Sequence, residues 1–306
     1  MKLKILITGS NANLLSGELS THLTGRYHQI ELFPFSFLEY CNSKNVDTLK
    51  YTSQAIGLRK RYLEQYLVQG GFPELILNNN QPDFVKSLLS AIVRKDVCAR
   101  YKIRYKETLW TVANVLLDNF CQEISLNALA NQVQIKSVHT LKNYITFLCN
   151  AYLMAEVPIY SFKSKERQQS RKCYAIDMSF ISGHENVLQP ENAGWRLENA
   201  VALELMRRMH KDYEQLFYIR RTKDFEVDFA TVSMGKVREL VQVTYDFYEP
   251  DTKQRNRELG GLIKGAQLTG CNNLTLIMMF GKQEDVEING FVIKKVLASE
   301  WLVNRG

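Results

Sequence analysis

An acid in one strand, followed after a tight turn by a strand carrying two polar side chains one residue apart, is a pattern with a chemistry attached. In "FEVDFATVSMGKVRELVQVTYD", residues 225–246, Asp228 is the acid and Met234-Gly235-Lys236 the turn. Gln242 and Thr244 are the spaced pair. Cleaving a phosphodiester with Mg²⁺ needs carboxylates to hold the metal and a lysine to position or activate water. The spaced pair of such a site is an acid and a lysine. Here Gln242 offers a neutral carbonyl and Thr244 no ammonium. Glu198, in "RLENAV", adds an acid from a helix. Strand alternation puts Gln242 and Thr244 on the face expected to meet Asp228, with Glu239 opposite and Asp246 near the strand end. Losing one catalytic group costs on the order of 10²–10⁴-fold. The expectation is therefore a degenerate site, with Glu198 and Asp228 paired to Arg196, Arg220 or Arg221, or kept for binding a nucleic-acid backbone without cleavage.

A second group of residues suits phosphate contact rather than catalysis. "SFKSKERQQSRK" carries Lys163, Lys165, Arg167, Arg171 and Lys172 against one acid, Glu166. It lies between two strand-like runs, "LMAEVPIYS" and "RKCYAID", so it reads as a hairpin tip. Three helical segments precede it: "ETLWTVANVLLDNF", "SLNALANQV" capped by Ser125, and "VHTLKNYITFLCNAYL". Three helices and a hairpin form the pattern of a winged helix-turn-helix, whose third helix would present Lys136, His139, Thr140 and Asn143. The alternative is a packing unit with a solvated tip.

The elements that must position these groups follow from periodicity. "LKILITGS" is a continuous apolar run, the pattern of a strand buried on both faces. A short helix over 15–23 and a strand over 27–32 follow, closed by Pro34. Residues from about 36 to 105 read as helical. "GLRKRYLEQYLVQGGFPE" is broken at Gly70-Gly71 and Pro73, and "QPDFVKSLLSAIVRKDVCARYKI" starts at Pro82-Asp83. From 193 the order is α-β-β-β-α-β, and Asn289-Gly290 marks a hairpin turn into a last strand.

"ILITGSNANLLSGELSTHLTGRYHQIELFPFSF", "GGFPE", "RKDVCARYKI", "YAIDMSF", "RLENAVALEL" and "YIRRTKDFEVDF" occur in this order. Together they resemble a prokaryotic AAA-type ATPase family with a winged helix and a C-terminal restriction-endonuclease-like domain of the PD-(D/E)XK type. The resemblance implies an α+β fold in four parts. These are a remnant of the ATPase core at 1–45, a helical lid at 46–105, a winged helix at 106–178 and an endonuclease-like domain with a mixed central sheet at 179–306. It places Ser10 and Asn11 at the polar end of a sensor strand, and Arg26 where an arginine finger would act in trans. Intact members use ATP and Mg²⁺. No stretch here matches the phosphate-binding loop G-x-x-x-x-G-K-[ST], so no cofactor is expected for the isolated chain. The expectation is a truncated ATPase-family protein that binds DNA or a protein partner, or itself. The alternatives are a Mg²⁺-dependent nuclease with an altered site, or one part of a split ATPase.

Composition fits that reading without deciding it. The formal charge of +7 favours an anionic partner. The six cysteines are scattered with no C-x-x-C pair, and the five histidines have no metal spacing. No apolar run approaches the ~20 residues of a membrane span, and the N-terminal apolar stretch is short for a signal peptide. These features read as cytoplasmic and off the membrane.

Overall fold

The computed structural model describes residues 8–9, 30–78, 82–184, 192–210, 213–222, 224–248 and 252–304. Ser10, Asn11, Arg26 and most of the expected first strand–helix–strand segment lie outside them. Within the described residues the fold is α+β, with helices first and a mixed sheet last.

The first half is helical because its apolar residues recur at three and four. α1 (Phe37–Ser43) begins with a capping box between Ser36 and Glu39. α2 (Ser53–Gln69) and α3 (Pro73–Leu77) are separated by the glycine pair. α4 (Pro82–Ser90) runs into a π-helix at Ala91–Val97 and a last α turn, α5 (Cys98–Arg100). α6 (Lys106–Asp118), α7 (Leu126–Gln132) and α8 (Val138–Asn150) follow, the last two capped by Ser125 and Ser137. β1 (Met154–Pro158) and β2 (Arg171–Ala175) pair antiparallel, and their connection contains a short helix, α9 (Ser164–Gln169). α10 (Met178–Gly183) completes this half.

The glycine pair is where this half is tied together. Gly70 ends α2 at φ 82°, ψ −169°, a conformation essentially reserved for glycine. The Asp177 carboxylate lies against it and accepts from Gly71 N–H at 2.7 Å and Ser179 N–H at 2.9 Å. Burial pushes the Asp177 carboxyl up to about 6, although these bonds favour its charged form. A Cβ on Gly70 would stand 2.0 Å from Asp177 Oδ1. Gly70→Ala is therefore expected to cost at least about 2 kcal/mol, from backbone strain plus displacement of the carboxylate. Urea unfolding of the variant checks this; a loss below about 0.5 kcal/mol would show the joint to be dispensable.

The second half begins with α11 (Ala193–Arg208), then β3 (Glu214–Arg221), β4 (Phe225–Ser233) and β5 (Lys236–Asp246) as an antiparallel meander. α12 (Thr252–Thr269) crosses over to β6 (Leu274–Phe280), parallel to β5. β7 (Glu284–Ile288), β8 (Phe291–Leu297) and a last turn, α13 (Ala298–Trp301), close the chain. The strand order is β3-β4-β5-β6-β8-β7. Phe229, Val241 and Ile277 face the larger apolar core, which continues into α11 and the helical half. Val227, Leu240 and Leu276 face a smaller core under Leu259 and Leu262 of α12. The end of β5 is thus flanked by a helix on each side.

Candidate functional site

The pairing of β4 with β5 stops at Phe229 opposite Val241. Beyond that point the residues of β5 from 242 onward pair with β6 alone, and a cleft of about 480 Å³ opens between α11 and α12. A bulge prepares it. Phe217 lies opposite Ala230 but Ile219 opposite Val227, so β4 carries one extra residue there. Bulges re-aim side chains beside functional sites, and this one sends the Asp228 carboxylate toward α11.

Side chains then replace the missing rungs of the ladder. Asp228 N–H donates to Gln242 Oε1 at 3.3 Å, and Val243 N–H donates to Asp228 Oδ2 at 2.8 Å. Gln242 Nε2 donates to Glu258 Oε2 of α12 at 2.8 Å. The other oxygen of Glu258 accepts from Arg257 Nε at 2.8 Å. Thr244 Oγ1 donates to the Asp246 carbonyl at 2.9 Å, which ties it to the end of its own strand. Gln242 and Thr244 do share a face, but it is the face of α12. Asp228, carried round by the bulge, is turned to the other. All three line the one cleft, but the extra residue in β4 brings Asp228 to it from the side of α11 while Gln242 and Thr244 reach it from the side of α12.

What Asp228 meets instead is Lys172 of β2. Lys172 is only 5% exposed. Its Nζ lies 2.7 Å from Glu226 Oε1, 3.2 Å from Glu198 Oε1 and 3.9 Å from Asp228 Oδ1. Tyr174, two residues along β2, donates its hydroxyl to the same Glu198 oxygen at 2.9 Å. Burial alone would lower the Lys172 pKa, but Glu198, Asp228 and Glu226 together outweigh it and hold the ammonium charged. The two acids move the other way. Burial raises Asp228 well above the carboxylate range, and the Glu198 charge adds to the shift. Glu198 is also raised, by burial against the pull of Lys172. Three carboxyl groups share one ammonium, and burial favours the neutral form of two of them, Asp228 and Glu198.

The arginines expected as partners are elsewhere. Arg196 donates to the Leu67 carbonyl at 2.9 Å and Arg220 pairs with Glu123. Among the described residues Glu198 and Asp228 pair with Lys172 and not with Arg221. Glu239 accepts from Thr275 Oγ1 at 2.9 Å, on the far side of the strand.

The basic hairpin is likewise largely committed. Lys172 is in the cleft, and Arg171 pairs with Glu156 at 2.8 Å. Lys163 pairs with Glu166 at 3.1 Å, and Arg167 donates to the Ser161 carbonyl. Lys165 remains exposed. On α8, His139 and Asn143 are exposed neighbours, with Asn143 Nδ2 3.4 Å from His139 Nδ1. Lys136 sits just ahead of that helix. The sequence signal that points to Lys172 as a cleft residue is the alternation of "RKCYA", which sets Lys172 and Tyr174 on one side of β2.

The donor set as arranged does not fit Mg²⁺. An ammonium stands between the helix acid and the strand acid, where a metal would bind both. Gln242 and Glu258 are occupied with each other. Among the described residues no three His, Cys, Asp or Glu side chains converge closely enough to hold a metal ion. What the arrangement does is join β2 of the hairpin, α11 and β4 through one buried charge cluster.

Residues 1–41 match the family model of an AAA domain, and residues 60–190 match a domain of unknown function, DUF8612. Two relatives span most of the chain. An uncharacterized protein of the archaeon Methanocaldococcus jannaschii is 34% identical over 88% of this chain and 61% of its own length. An uncharacterized protein of Haemophilus influenzae is 30% identical over 98% of this chain and 70% of its own length. The chain belongs to the same family as this Haemophilus protein, and its first residues link that family to the AAA type. It spans less than two thirds of the archaeal relative. No solved structure matches the chain. No helix among the described residues is long and apolar enough to cross a membrane.

Proposed function

We propose that the chain is a nucleic-acid-binding protein of an AAA-linked family, in which an endonuclease-like domain serves as a scaffold and does not cut. In this reading α6, α7, α8 and the β1–β2 hairpin are a winged helix-turn-helix unit, and residues 193–304 are the endonuclease-like part. The formal charge of +7 favours an anionic partner, and the observation that carries the absence of cutting is the place of Lys172, between Glu198, Glu226 and Asp228. A phosphodiesterase of this type needs metal-held carboxylates there, and the ammonium neutralises them instead. No cofactor enters this reading.

A second reading, a Mg²⁺-dependent nuclease with an altered site, is favoured by one observation. Lys172 and Glu258 return to the neighbourhood of Asp228 and Gln242 the two charges those strands lack. One experiment separates the two. Purified protein is incubated with labelled duplex and plasmid DNA and with Mg²⁺ or Mn²⁺. The scaffold reading expects binding whose affinity falls steeply with salt, as phosphate contacts require, and no cutting above the protein-free control. Metal-dependent cutting that disappears in Asp228→Ala would overturn it and establish the second.

A further inference from the structure

The charges that make the chain basic are concentrated ahead of the three-helix unit. From Arg94 to Glu107 there are six Lys and Arg against two acids. Both acids are taken, Asp96 by Arg100 at 2.7 Å and Glu107 by Arg94 at 2.9 Å. Lys95, Lys102, Arg104 and Lys106 are left exposed, with no acidic partner among the described residues.

The four follow one another, each exposed, along one stretch of chain: Lys95 in the π-helical turn, Lys102 just past the end of α5, then Arg104 and Lys106. Lys102 then adopts φ 49° and turns the chain toward Arg104, Tyr105 and Lys106. Tyr101 fixes this strip to α8. Its ring stacks on Phe147 at 3.7 Å and 9°, and its hydroxyl accepts from Asn150 Nδ2 at 3.2 Å. On α8, His139, Asn143, Phe147 and Asn150 recur at four, four and three residues, a single ridge. The basic strip therefore continues the ridge that carries His139 and Asn143. Beside the strip, Tyr105 is 62% exposed and the Arg104 guanidinium lies 5.5 Å from its ring centroid.

We propose that Lys95, Lys102, Arg104 and Lys106 form the phosphate-contacting surface for a nucleic acid, with Tyr105 as a stacking platform and the α8 ridge facing the bases. This rests on the reading that the protein binds nucleic acid, and it moves the contact away from the hairpin tip. A row of unpaired cations tracks a phosphate backbone, and an exposed aromatic among them suits base stacking. A membrane-docking strip would set bulky apolar side chains beside its cations. Here the neighbouring ridge offers an imidazole and an amide, which bond base edges.

The test is fluorescence anisotropy with a ~20-base-pair duplex, a single strand and an RNA hairpin over a range of salt, where each phosphate contact contributes about 0.9 to the slope. The variant combines Lys95→Gln, Lys102→Asn, Arg104→Gln and Lys106→Gln. Asparagine is chosen at 102 because it tolerates positive φ. Every site is exposed, and unchanged circular dichroism and thermal unfolding would show the variant to be folded. Expected are a ~10²–10³-fold weaker Kd at moderate salt and, on the duplex, a slope shallower by roughly 3–4. Tyr105→Ala should weaken the single strand by about 5–100-fold, and Lys236→Gln with Arg238→Gln should change little. If the parent binds and the fourfold variant binds equally with the same slope, this surface is wrong while nucleic-acid binding stands. If the parent binds no nucleic acid, or binds only anionic vesicles, both readings fail.

Discussion

Replacing Lys172 by methionine is expected to cost about 3–5 kcal/mol near pH 8, because it removes the cation shared by buried acids and leaves them uncompensated. The cost should shrink near pH 5, and the sign follows from linkage. Glu198 and Asp228 are raised in the folded protein, chiefly by burial. Without Lys172 they are raised further. Between the unfolded pKa near 4 and the higher folded value, the folded state holds protons that the unfolded chain has lost. Stability of the variant therefore falls as pH rises through that window. In the parent, Lys172 itself is raised, so its contribution is present below its unfolded pKa near 10.4 and lost only in strong alkali. Denaturant titrations of both proteins near pH 5 and pH 8 provide the check. A cost below about 1 kcal/mol, or one equal at both pH values, would show that the ammonium does not hold the acids.

The second large effect is expected at Arg59, whose side chain is fully buried in α2. Its Nε and Nη2 donate to the two carboxylate oxygens of Glu300, both at 2.8 Å. Nη1 donates to the carbonyls of Asp47 and Lys50 at 2.9 and 2.8 Å. This is a bidentate pair with four of the five guanidinium N–H donors bonded, the geometry in which a buried ion pair holds. Removing one partner strands the other. Arg59→Met and Glu300→Met are each expected to cost about 3–5 kcal/mol, while the double variant recovers a substantial part of the summed loss. A double-mutant cycle by urea unfolding measures the coupling. Single losses that simply add would mean that the two side chains act independently.

Much of this arrangement was legible in the residues, and the parts that were not have identifiable causes. The helical period placed α6, α7 and α8, and the strand period placed β4, β5 and β6. Positions 289 and 290 both take positive φ, as the Asn-Gly turn requires. Glu198 and Asp228 announced themselves by pattern, and the structure brings them to one cleft. The bulge in β4 was hidden because no glycine or proline marks it, and it separates Asp228 from the face of Gln242. Lys172 was hidden for a different reason. Seven of the twelve residues in "SFKSKERQQSRK" are other than basic, yet the cations dominate any local reading, and burial of one of them depends on β4 and α11, distant in sequence. The π-helix Ala91–Val97 was also unmarked, since nothing in "AIVRKDV" distinguishes a π turn from an α turn.

The Arg59–Glu300 pair spans 241 positions. During synthesis at ~5–20 residues per second, Glu300 follows Arg59 by roughly 10–50 s. Through that interval the guanidinium has no carboxylate to enter the core with, and desolvating it alone is costly. The surroundings of Arg59 on α2 thus stay wet until residue 300 has been made. Final packing of this helix is timed by a glutamate 241 positions further along the chain.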